Sequence, residues 1–80
     1  MTKRAKELLN KLYSHADTLA AYNKYLSSKE CDEVFLCIRD VLLFIKTDDG
    51  NEDYESVLKR MELLESLVNL AVCGEMVLTQ

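Results

Sequence analysis

The fold turns on Val34-Phe35-Leu36-Cys37-Ile38-Arg39-Asp40-Val41-Leu42-Leu43-Phe44-Ile45, in which only Arg39 and Asp40 interrupt an otherwise apolar run. The run sits mid-chain, with a helix-patterned segment on either side. A compact fold has to bury it, so the flanking segments should wrap around it. Stepping along it at about 100° per residue gathers Cys31, Val34, Phe35, Cys37, Ile38, Val41, Leu42, Phe44 and Ile45 into one arc of about half the circumference. Asp32, Glu33, Arg39, Asp40, Lys46 and Thr47 fill the other half. Leu36 and Leu43 break the pattern: they stand seven residues apart in the middle of the polar side.

Working outward, residues 29–47 therefore read as a helix. Ser27-Ser28-Lys29-Glu30 has the capping-box form, serine with glutamate three residues on, and marks the turn into it. Before it, Ala5, Leu12, Leu19 and Leu26 recur every seven residues, with Leu8, His15 and Tyr22 as a parallel series flanked by Leu9 and Ala16. That spacing predicts a helix over 3–27. Ser14 and Asp17 could cap a new start within it, but neither glycine nor proline supports a break. After it, Thr47-Asp48-Asp49-Gly50-Asn51-Glu52-Asp53 is a turn, since Asp, Gly and Asn tolerate positive φ and local hydrogen bonding. A third helix follows over 52–73, with Tyr54, Val57, Leu58, Met61, Leu64, Val68, Ala71 and Val72 as its main stripe and Leu67 at the edge. Leu63 and Leu70 lie off that stripe, seven apart, and Gly74 has the place of a left-handed helix cap. Short connections between three helices predict an all-α, antiparallel three-helix bundle, a single domain spanning 1–80.

Composition agrees. The chain has 80 residues, 49% of them apolar, with no proline and only two glycines, so little breaks a helix. A domain this short buries too little for a generous core, and oligomerisation is one remedy; a homo-oligomer, most simply a dimer, is expected. No apolar run reaches the ~18–20 residues of a membrane span, and the basic N-terminus lacks the apolar region of a secretory signal. The odd count of three cysteines argues against a disulfide framework. These features together predict a cytoplasmic protein. Net charge is −4, but residues 1–29 hold six basic and two acidic side chains, whereas 30–80 hold four basic and twelve acidic. The acidic part opposes general nucleic-acid binding.

Chemistry-bearing motifs are missing. A calcium loop with Gly50 at its sixth position would begin at Ile45 and end at Ser56, neither of which serves as the required ligand. His15, Cys31, Cys37 and Cys73 contain no closely spaced pair of the kind zinc sites use. The sole histidine has no local partner to make a cysteine nucleophile, and the carboxylates cluster in a turn where their pKa values should stay ordinary. No cofactor, metal or catalytic residue is predicted; the chain reads as a non-enzymatic protein.

What remains is surface. Leu36, Leu43, Leu63 and Leu70 are expected to form an apolar docking surface for another protein or for a second copy of the chain. Asp48, Asp49, Glu52 and Asp53 are expected to set orientation and on-rate. The predicted function is that of a small regulator, inhibitor or adaptor of a larger protein, of bacterial or phage type. One alternative is an acidic inhibitor that occupies a nucleic-acid-binding surface. Another comes from Ala5-Lys6-Glu7-Leu8-Leu9-Asn10-Lys11-Leu12-Tyr13, which resembles the opening of small helical bacteriocin-immunity proteins. The resemblance covers those nine residues and implies a helical bundle that neutralises a toxin; no functional residue is carried over from it.

Overall fold

The computed structural model describes residues 2–47 and 54–78. Three α-helices make an all-α bundle: α1 (Lys3–Tyr22), α2 (Ser28–Thr47) and α3 (Tyr54–Leu78), with a 3₁₀ turn at Asn23–Tyr25. Their order is up, down, up. The Arg4 guanidinium at the start of α1 lies over Phe44 near the end of α2 and over Tyr54 at the start of α3. At the other end, the turn after α1 meets Gly74 of α3 through Tyr25.

Local chemistry explains the helix starts. Thr2 caps α1: its Oγ1 accepts the Ala5 N–H at 3.2 Å, and its carbonyl accepts from the Lys6 amide at 3.1 Å, satisfying donors that would otherwise lack intrahelical partners. α1 runs unbroken through Ser14–Thr18, where the Thr18 hydroxyl donates back to the Ser14 carbonyl at 3.1 Å. The capping box at α2 is reciprocal: Glu30 N–H donates to Ser27 Oγ at 3.2 Å, and Ser27 N–H donates to Glu30 Oε1 at 2.8 Å.

Two boundaries differ from the sequence expectation. The first helix ends at Tyr22, not near residue 27, and Leu26 is extended at φ −105°, ψ 149°. The cap of α2 requires this, because the chain entering an N-cap must leave helical geometry. The third helix continues to Leu78, and Gly74 lies within it rather than capping it. A Cβ at Gly74 would stand 2.9 Å from the Cβ of Tyr25; the glycine serves a close approach of two backbones, not a left-handed turn.

The core takes Ala5, Leu8, Leu12 and Leu19 from α1, Val34, Cys37, Val41 and Phe44 from α2, and Val57, Met61, Leu64, Leu67, Val68 and Ala71 from α3. α3 is thus the central helix, packed on both others. Phe44 and Tyr54 stack at 5.8 Å between centroids, and Arg4 sits 5.6 and 4.9 Å from their rings, a cation–π cover on that end of the core.

The buried arc of α2 is narrower than its apolar pattern. Phe35 and Leu42, expected inside, are exposed, and so is Leu58 of α3. The reason is geometric. α1 and α3 cover the Val34–Cys37–Val41–Phe44 side of α2, and an open groove of about 250 Å³ separates α1 from the Phe35 flank.

Candidate protein-docking surface

Asp40 on α2 and Arg60 on α3 define one seam of the bundle. Arg60 Nε lies 3.3 Å from Asp40 Oδ2, while Arg39 reaches Asp40 Oδ1 at 3.3 Å. Side chains this exposed contribute little to stability, about 0–1 kcal/mol, but they mark the line along which the exposed faces of the two helices meet. At ~100° per residue, Leu36 and Leu43 lie roughly 40° and 60° round α2 from Asp40, on the side away from the core. Leu63, Leu70 and Val77 lie roughly 60°, 80° and 100° round α3 from Arg60, again away from the core. All five are exposed. The four leucines singled out by spacing therefore flank the same seam. Towards the end of the bundle that carries Gly74, the surface continues into an open groove lined by Tyr25, Leu26, Leu70, Cys73 and Val77.

Val77 is the residue that extends the Leu63–Leu70 line because α3 runs past Gly74. Asp48, Asp49, Glu52 and Asp53 lie outside the described residues, so no position is assigned to them.

Sequence reasoning missed a second exposed line, Phe35 and Leu42, on the opposite flank of α2. Its signal was the same seven-residue spacing that marks Leu36 and Leu43. Phe35 is 73% exposed, the highest value among the large apolar side chains described.

The three cysteines are free thiols in different surroundings. Burial pushes the Cys37 thiol up, with the Arg60 charge opposing the shift, so Cys37 stays protonated and packs as a small apolar group. Cys31 is half-buried, its Sγ 3.9 Å from the Asn23 carbonyl, and Cys73 is exposed. Among the described residues no group of three or more His, Cys, Asp or Glu is placed to hold a metal ion, and no buried side-chain nitrogen or oxygen lacks a partner. No helix among them is long and apolar enough to cross a membrane.

No protein-family profile, curated protein or solved structure matches the chain.

Proposed function

We propose that this chain is a small non-enzymatic interaction module that docks on a larger protein through the seam between α2 and α3 and acts as its regulator, inhibitor or adaptor. The observation that carries this reading is the placement of Leu36, Leu43, Leu63 and Leu70, exposed on both sides of one polar seam. Apolar groups around a fixed charged pair suit recognition: burial of the leucines supplies affinity, and the Asp40–Arg60 pair fixes register. The acidic run Asp48, Asp49, Glu52 and Asp53 would speed encounter with a basic partner, an effect that salt screens.

The test is affinity capture from the native host with the wild-type chain and with a Leu36→Asp/Leu43→Asp/Leu63→Asp/Leu70→Asp variant. The helical circular-dichroism signal should persist, since all four side chains are exposed, while a protein retained by the wild type is lost. Undiminished retention of that protein by the variant moves the docking site elsewhere.

A further inference from the structure

Phe35 and Leu42 stand about 20° apart on α2, and roughly 100° round the helix from the line of Leu36 and Leu43. Phe35 forms the outer wall of the open groove between α1 and α2, and Leu42 is exposed two turns further along the same side of α2. Between the two lines runs a charged ridge at seven-residue intervals: Asp32, Arg39, Lys46. Its order, one negative charge and then two positive, decides how two such helices can pair. In parallel register, Asp32 would meet Asp32, Arg39 would meet Arg39 and Lys46 would meet Lys46, three like-charge contacts. With one copy turned end for end about Arg39, each Asp32 meets Lys46 of the other copy and each Phe35 meets Leu42. One like pair is left, Arg39 with Arg39, and each of these already donates to its own Asp40.

We propose that a second copy of this chain covers this face, α2 against α2, antiparallel about a two-fold axis near Arg39. The contact is isologous: each copy offers the same apolar pair and the same charge ladder. This assignment rests on the interaction reading and narrows it: the same pairing sets Leu36 of each copy against Leu43 of the other on the far side of the ridge, which leaves Leu63 and Leu70 to the other partner.

Light scattering on the eluting protein, across a range of concentrations, should give the mass of a dimer that dissociates on dilution. Phe35→Asp should give a monomer with its helical signal intact. Asp32→Lys and Lys46→Asp should each raise the dissociation constant about tenfold, since each replaces two attractive contacts with two repulsive ones. The combined Asp32→Lys/Lys46→Asp chain should regain the wild-type constant, a rescue that parallel pairing does not give. A wild-type chain that stays monomeric throughout overturns the proposal. So does a dimer indifferent to Phe35→Asp, or a charge swap that fails to rescue. If Phe35→Asp instead releases a different captured protein while the mass is already that of a monomer, the face belongs to that protein. Leu63→Asp/Leu70→Asp should keep the dimer and lose the other partner, so the two readings fail separately.

Discussion

At the scale of single residues, Gly74 carries opposing effects whose sizes decide its role. Glycine within a helix costs about 1 kcal/mol relative to alanine, so Gly74→Ala would stabilise an isolated α3. In the bundle the new Cβ would lie 2.9 Å from Tyr25 Cβ and 3.6 Å from the Tyr25 carbonyl oxygen. A Cβ cannot swing aside by a change of rotamer; the 3₁₀ turn itself would have to move. Overpacking of that kind costs about 1–3 kcal/mol, more than the helix gains. Gly74→Ala should therefore lower stability by about 1 kcal/mol net, read as a fall in the urea midpoint; a rise in the midpoint would mean that the turn yields freely. The same residue shows why the end of α3 could not be read from sequence. A glycine near the end of a stripe suits a left-handed cap and a close backbone approach equally, and only the position of Tyr25 distinguishes them.

At the scale of elements, the start of α2 was legible and the end of α1 was not, and one motif accounts for both. Ser27 and Glu30 give the capping box from spacing alone, and the two hydrogen bonds are present. The same box forces Leu26 into extended geometry, although Leu26 continues the seven-residue series of α1. Leu26 then lines the α1–α2 groove together with Cys31, the pairing of residues before and after a cap that steers chain entry. The hydrogen bonds from the backbone and side chain of Ser27 hold the Glu30 carboxyl below its ordinary value of 4.5. A lowered carboxyl contributes stability that is present above its unfolded value and is lost as pH falls through its folded value. Ser27→Ala should cost about 1 kcal/mol at neutral pH. Hydrogen exchange at the first turn of α2 should quicken on acidification below 4.5 in the wild type, after correction for intrinsic rates, and change much less in Ser27→Ala. Equal pH dependence in both chains would place the acid-sensitive group elsewhere.

At the scale of the whole molecule, three long helices share one thin core. The radius of gyration is 13.5 Å and the extents are 47 × 21 × 16 Å, against roughly 11.6 Å for a compact domain of this length. An elongated bundle has fewer side chains buried on all sides; Leu64, Val41 and Cys37 are the largest fully buried ones described. The apolar pattern of α2 could not show this, because periodicity marks the side of a helix that favours burial, not how much of it the neighbours cover. Phe35 and Leu42 belong to the patterned arc and yet lie outside the covered one. Paired truncations separate these roles. Leu64→Ala, at the meeting of the helices, should cost about 2–5 kcal/mol, a large share of the ~4–12 kcal/mol a chain of this length holds. Phe35→Ala should change the stability of the dissociated chain by less than about 0.5 kcal/mol, as surface substitutions do. Urea unfolding at high dilution measures both, and on concentration the wild type should gain stability by mass action while Phe35→Ala should not. If Phe35→Ala costs as much as Leu64→Ala at high dilution, then α1 closes over Phe35 and the groove between α1 and α2 is part of the core.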